Sequence, residues 1–306
     1  MRVLITGGAG FIGSHIAEYF QGKAEVVVLD NFRSGHRRNL EGLKVELIEA
    51  SILDRPALER AVQGVDLVFH LAAMISVPES MLKPRECVEI NTTGTLHVLE
   101  AAAAAKVKKV VLASSAAIYG DNPTVPKVET MFPEPKSPYA VTKLDGEYYL
   151  EMFQRQGSLK TASLRFFNVF GPRQDPKSPY AAAVPIFIEK ALNREAITIF
   201  GDGGATRDFI YVKDIVEALV FAATHDTLHG TYNVGYGKKM TVLELAQEVL
   251  RLTGSSSAID HKPERLGDVR HSMASSDKLQ GAGWKPAHSV AQGLKATVSY
   301  FQGRKA

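Results

Sequence analysis

The stretch Val3-Leu4-Ile5-Thr6-Gly7-Gly8-Ala9-Gly10-Phe11-Ile12-Gly13 decides how this chain folds. A short apolar run over residues 3–6 stops at two glycines, and a helical pattern follows over residues 11–20. Glycine at 7, 10 and 13 lets the backbone turn tightly and approach a pyrophosphate, whose charge the helix N-terminus favours. The spacing is G-x-x-G-x-x-G rather than G-x-G-x-x-G. A second apolar run, Val26-Val27-Val28-Leu29, ends at Asp30. A carboxylate there can accept both ribose hydroxyls of an adenine nucleotide and would repel a 2′-phosphate, so the expected cofactor is NAD rather than NADP. Arg33 is either a solvated loop cation or a group that weakens this discrimination.

Working outward, apolar runs recur at residues 45–48, 65–71, 110–113 and 162–165, separated by helical patterns at 56–62, 87–105 and 139–154. Short strands buried on both faces and alternating with helices describe a parallel sheet covered on both sides. Right-handed crossovers then wind it into a doubly wound α/β layer. After residue 166 the pattern breaks, with Pro172, Pro176 and Pro179 close together. A helix is expected at 185–193, a turn at Gly201-Asp202-Gly203-Gly204, and a strand at 209–212. Helices are expected at 214–224 and 241–253, each opened by a capping residue, Asp214 and Thr241. The expected domains are 1–166 and a smaller, discontinuous 167–306, with later segments returning to the first.

The chain has 306 residues, 45% hydrophobic and 23% charged, which excludes the disordered class. Lys plus Arg (36) barely exceeds Asp plus Glu (33), and no basic block is longer than His36-Arg37-Arg38. Nucleic-acid binding needs a concentrated patch, so no nucleic-acid partner is expected. Cys87 is the only cysteine, which rules out an intrachain disulfide and any multi-cysteine metal centre. The nine histidines include no helical H-x-x-x-H pair, and no metal is expected. His70, at a strand end, reads as a packing residue. Met1-Arg2-Val3-Leu4-Ile5 runs straight into Gly7 without a leader-like apolar region, and no 18-residue apolar run occurs. The expectation is a cytoplasmic protein without a membrane span.

Ser114-Ser115 follows the strand pattern at 110–113, at the strand end where open sheets place chemistry. Tyr139-Ala140-Val141-Thr142-Lys143 opens a helix after Pro138. Tyr139 and Lys143, four apart, share one helical face. An ammonium there would favour the phenolate and lower the tyrosine from its ordinary value of about 10. A serine could hold a substrate hydroxyl or share its proton.

These motifs resemble the extended short-chain dehydrogenase/reductase superfamily, and within it the nucleotide-sugar 4-epimerases, over nearly the whole length. The resemblance is carried by Gly7–Gly13, Asp30-Asn31-Phe32, Leu71-Ala72-Ala73, Asn91-Thr92-Thr93-Gly94-Thr95, Ser114 to Gly120 and Tyr139–Lys143. It continues through Arg165-Phe166-Phe167-Asn168, Gly201 to Asp208 and Arg265 to Ser272. The run from Arg165 to Pro176 is especially similar to epimerases that accept N-acetylated UDP-hexoses. The resemblance implies a Rossmann-type domain binding NAD and a C-terminal domain mainly binding a UDP-sugar. It implies Tyr139 as the base, Lys143 on the nicotinamide ribose and tuning Tyr139, and Ser115 on the sugar 4-OH. The implied cofactor site comprises Gly7, Gly10, Phe11, Ile12, Gly13, Asp30, Asn31, Ser51, Ile52, Leu71, Ala72, Ala73, Asn91, Ser114 and Phe166, with Tyr139 and Lys143. Ser51 departs from the family, which usually has an acidic residue against the adenine amino group.

Asn168, Ala183, Arg207, Arg265 and Asp268 are implied to hold UDP, the two arginines near its diphosphate, as suits planar guanidinium forks. Ser272 stands where a bulky tyrosine often limits the family's sugar pocket, leaving room for a C2 acetamido group. The implied activity is NAD-dependent inversion at C4 of a UDP-hexose, plain or N-acetylated, through a 4-keto intermediate. A homodimer is implied, pairing helices 91–105 and 139–155, with the small Ala101–Ala105 face permitting close approach. A nucleotide-sugar 4,6-dehydratase would instead show an Asp-Glu pair after the strand-end serine, where this chain has Ala116 and Ala117. A decarboxylase or reductase would share the fold. A non-enzymatic nucleotide-sensing protein would need none of Ser115, Tyr139 and Lys143.

Overall fold

The central strands are buried along almost their whole length, as expected where helices cover both faces of a sheet. The computed structural model describes residues 1–177, 182–264 and 270–304. In chain order these form β1 (Arg2–Thr6), α1 (Phe11–Tyr19), β2 (Glu25–Asp30), β3 (Glu46–Glu49), α2 (Arg55–Ala61), β4 (Leu67–His70), α3 (Val77–Leu82) and α4 (Pro84–Val88). There follow α5 (Gly94–Ala104), β5 (Lys109–Ser115), α6 (Pro138–Arg155), β6 (Lys160–Phe166), β7 (Asn168–Phe170), α7 (Ala183–Asn193), β8 (Ile197–Phe200), β9 (Thr206–Arg207) and β10 (Phe209–Tyr211). The chain closes with α8 (Val212–Thr224), β11 (Gly230–Val234), β12 (Met240–Thr241), α9 (Val242–Thr253), β13 (Ile259–Lys262), α10 (Asp277–Gly281) and α11 (Val290–Gly303).

Seven strands make one sheet in the order β11-β6-β5-β4-β1-β2-β3. The six from β6 to β3 pair in parallel. The order reverses at β1, whose Thr6 is in register with Leu29 on one side and His70 on the other. Open α/β sheets bind ligands at such a switch point, beyond the strands' carboxyl ends. The doubly wound, Rossmann-type layer is therefore present.

The chain divides into two compact units. The first comprises Met1–Gly120, Phe132–Phe166 and Val216–Tyr232; the second comprises Asp121–Met131, Phe167–Ile215 and Asn233–Ala306. The second unit carries three two-stranded pairings, β7 with β10, β9 with β12, and β8 with β13. Its helix α9 opens on a capping box in which Thr241 and Glu244 satisfy each other's backbone N–H. No helix among the described residues is long and apolar enough to cross a membrane.

The helical run expected over 87–105 is present with a π-turn inside it: α4 ends at Val88, the π-turn runs over Glu89–Thr93, and α5 begins at Gly94. The Asn91 amide, bonded to the Met74 backbone and to Thr142, holds that turn in place. Asp214 does not cap α8, which starts at Val212; its carboxylate accepts instead from Ala287 N, His288 N and His288 Nδ1. Ala101 and Ala102 face the first unit's core with Leu58, Val98 and Leu150, whereas Ala103 and Ala105 are half-buried and Ala104 is exposed.

Candidate active site

The cradle after β1 leaves no space for side chains. At Gly13 a Cβ would lie 2.3 Å from the Gly7 carbonyl, and at Gly7, whose φ is +72°, it would lie 2.8 Å from Ala72 N. No side chain caps α1 at Gly10, so its first-turn N–H groups can meet an anion. Those are the properties a pyrophosphate site requires. Phe11 and Ile12, half-buried, open the helix.

Asp30 is buried at the end of β2 and accepts from Ala9 N at 2.9 Å and Phe32 N at 2.8 Å. Burial pushes its carboxyl up, and those two N–H groups pull it back. Asn31 is exposed, its Oδ1 accepting from Arg33 N. Arg33 is an exposed loop cation whose guanidinium pairs with Glu86 and, at 2.8 Å, with Glu79. Ser51 uses its hydroxyl in a turn, accepting from Leu53 N. Leu71, Ala72 and Ala73 are half-buried beyond β4, with Leu71 N donating to Thr6 O.

Other expected cofactor residues turn inward. The Ile52 side chain belongs to the core, and its Cδ1 would stand 2.5 Å from a Cβ at Gly94. Asn91 commits its amide to Met74 and Thr142, so its side chain positions the chain rather than offering a group to a ligand. Ser114, buried, donates to Glu147, whereas Ser115 faces the other way, as neighbours on a strand must. Phe166 is buried at the end of β6.

The Ser–Tyr–Lys group does assemble. Ser137 caps α6 by accepting from Ala140 N, and Pro138 pre-sets the first turn. Tyr139, in that turn, is near enough to Ser115 for the serine to favour the phenolate, and Ser115 Oγ accepts from Ala117 N at 3.1 Å. Lys143 is buried, with Nζ 5.8 Å from the Tyr139 ring centroid and donating to Ala113 O at 2.8 Å. Burial lowers the Lys143 ammonium to about 8, with Glu147 pulling the other way. The expected net lowering of Tyr139 is corrected. Burial outweighs the influence of Ser115 and raises the phenol above 10.

Sequence reasoning missed the residue beneath Lys143. Glu147 continues the four-residue spacing of Tyr139 and Lys143 along α6, which was the available signal. Its carboxylate takes both Arg165 Nε at 2.9 Å and Nη2 at 2.7 Å, while Arg165 Nη1 reaches the Tyr119 hydroxyl at 2.8 Å. Both side chains of the pair are about 95% buried.

In the second unit, Asn168, Arg207 and Ser272 gather on residues 206–209. Asn168 N donates to Asp208 O, Ser272 N donates to Thr206 O, and Arg207 Nη1 reaches Thr206 O and Arg270 O. Asp208, also missed, is buried and accepts from Tyr236 N, Gly237 N and Ala274 N; burial raises it to about 6. Ala183 opens α7. Arg265 and Asp268 lie outside the described residues.

Sheet order, glycine cradle and the Ser–Tyr–Lys group define a dinucleotide-binding α/β protein. The chain belongs to the NAD dependent epimerase/dehydratase family, whose model matches residues 3–235. It is similar in structure to a UDP-glucose 4-epimerase from Thermotoga maritima, solved with UDP-glucose, at TM-score 0.95 and 40% identity, covering 100% of both chains. It is similar to a UDP-N-acetylglucosamine 4-epimerase from Methanobrevibacter ruminantium, in complex with UDP-N-acetylmuramic acid, at TM-score 0.95 and 39% identity over 99% of this chain and 98% of that one. A UDP-N-acetyl-alpha-D-glucosaminuronate decarboxylase from Bacillus cytotoxicus is 36% identical over 98% of each chain.

Removing one member of a buried ion pair leaves the other desolvated and alone. Glu147→Ala is therefore expected to cost ~3–5 kcal/mol of unfolding free energy. The double variant Glu147→Leu/Arg165→Met should recover most of that. Urea denaturation checks both, and a single-variant loss below ~1 kcal/mol, typical of exposed pairs, would contradict the assignment.

Proposed function

We propose that this protein inverts C4 of a UDP-hexose with NAD as its cofactor, through a 4-keto intermediate. The observation that carries this reading is the grouping of Ser115 and Tyr139 beside the buried Lys143, followed by alanine at 116 and 117. Elimination across C5 and C6 requires an additional acid and base, and two methyl side chains supply neither.

Gly7, Gly10 and Gly13 accept the pyrophosphate, and Asp30 takes the adenine ribose. The Asp30 carboxylate would repel a 2′-phosphate, which favours NAD over NADP. When bound, NAD supplies a carrier that takes the C4 hydride and returns it to the other face. Ser115 holds the sugar 4-OH, and Tyr139 Oη takes its proton and later gives one back to the 4-keto oxygen. Accepting that proton requires Tyr139 as the phenolate, which burial disfavours and the nearby Lys143 ammonium would favour. Strong contacts to UDP, assigned to Asn168, Ala183, Arg207, Arg265 and Asp268, would anchor the substrate away from the reacting carbon while the ketose turns.

A second copy of the chain is the proposed partner. Val141, Tyr148 and Met152 form an exposed apolar stripe along α6, and Val88 on α4 is exposed as well. Such a stripe suits a two-fold interface. Light scattering at low micromolar concentration is expected to give twice the chain mass, and a monomer mass would remove this proposal.

Tyr139→Phe tests the chemistry. It should lower kcat by ~10²–10⁴, the usual worth of a general acid–base group, while leaving UDP affinity within a few fold. A fall below about threefold would mean that another group moves the proton.

The sugar range is tested at Ser272. UDP-glucose, UDP-galactose and both N-acetylated counterparts are expected to turn over, because serine leaves room for the acetamido group. Ser272→Tyr should selectively reduce kcat/KM for the N-acetylated pair, steric exclusion being stronger than the ~1–3 kcal/mol of one added apolar contact. Full acetamido-sugar turnover in that variant would show that position 272 is not the gate.

A further inference from the structure

His70, a packing residue by its sequence, is hydrogen-bonded at both ring nitrogens inside the first unit. Thr95 Oγ1 donates to the Asn91 carbonyl. That uses the hydroxyl's single proton, so His70 Nε2, 2.9 Å away, is the donor in their bond. Burial, with the Lys143 ammonium adding to it, drives the imidazole down to about 3 and keeps it neutral. Nδ1 is then a bare acceptor, taking the proton of Thr6 Oγ1 at 2.7 Å. Thr6 Oγ1 in turn accepts from Ala72 N at 3.4 Å.

The same connection continues beyond Asn91. Asn91 Nδ2 donates to Thr142 Oγ1 at 3.0 Å, and Thr142 Oγ1 donates to the Tyr139 carbonyl at 2.9 Å. Two directed runs, joined covalently through Asn91, thus connect Thr6 and Ala72, which flank the Gly7 turn, to the first turn of α6. His70, Thr95, Asn91 and Thr142 are all buried. Their geometry is therefore set by one another rather than by water.

We propose that His70, acting through Thr95, Asn91 and Thr142, is a positioning residue that holds the Tyr139 turn in register with the glycine cradle. Hydride and proton transfer at one carbon need the two sites aligned within a fraction of an ångström, and separate elements that are not cross-linked drift by more than that. The proposal rests on the reading of Tyr139 as the proton-transfer group and of the cradle as the NAD site.

The test uses the full chain, with Thr95→Val and Thr142→Val interrupting the series and Thr161→Val as a control. Thr161 is equally buried, and its hydroxyl bonds Leu150 O outside the series. Hydrogen exchange of residues 138–143 is measured with and without NAD, and kcat and KM are measured for a UDP-hexose. In the wild type, NAD is expected to slow exchange there by at least about threefold, and the control should keep that protection. Both interrupting variants should lose it and show kcat about tenfold lower with KM within about twofold. Nitrogen chemical shifts should show His70 with its proton on Nε2. Overturning results are wild-type exchange unaffected by NAD, protection retained in Thr95→Val, equal loss in Thr161→Val, or the opposite tautomer. A wild type that shows the coupled protection and correct tautomer but turns over no UDP-hexose would overturn the substrate reading and leave the role of His70 supported.

Discussion

Everything in the first unit is arranged around a backbone contact that admits no side chain. Gly13 stands so close to the Gly7 carbonyl that a Cβ would meet it at 2.3 Å, and Gly7 itself presses on Ala72. That approach ties the end of β1 to the start of α1 and to the segment leaving β4. The sheet reverses its order at the same strand, so the tight turn and the switch point coincide. Chemistry placed at the ends of β4 and β5 then has a fixed reference, because neither strand can move relative to β1 without breaking the parallel ladder between them.

Charge is the second organising constraint. Helix α6 carries a phenol, an ammonium and a carboxylate at four-residue spacing, all turned inward. An isolated buried ammonium would lose its proton. Here the Cys87 and Glu147 side chains oppose that tendency and the lysine falls to about 8, while Arg165 pairs with Glu147. Replacing such a pair by apolar residues is often harmless to stability. Here the pair ties the inward side of α6 to β6.

The fold alone does not select a reaction, since a 4-epimerase and a decarboxylase are similar to this chain at nearly equal identity. Selection lies in a few positions at strand ends. The short helical turn after Ser115 carries only methyl groups at 116 and 117, and the serine hydroxyl that caps it also meets Tyr139. One hydroxyl therefore serves both local structure and proton chemistry.

Local patterns sufficed for much of this. Glycine spacing, strand alternation with helices and the Tyr139–Lys143 interval are short-range features, and backbone sterics and helical periodicity act over the same few residues. The doubly wound sheet and the positions of Asp30, Ser115, Tyr139 and Lys143 follow from them. The inward turn of Asn91 and Ile52 was not legible, because a motif names a residue without saying which of its groups it offers. Nor was the inward packing of Ala101 and Ala102, since alanine suits a core and a helix interface alike. The partners of Glu147, His70 and Asp208 lie 18 to 66 residues away in sequence. Whether a buried charge or imidazole is paired depends on which strands lie side by side, and only the tertiary structure decides that.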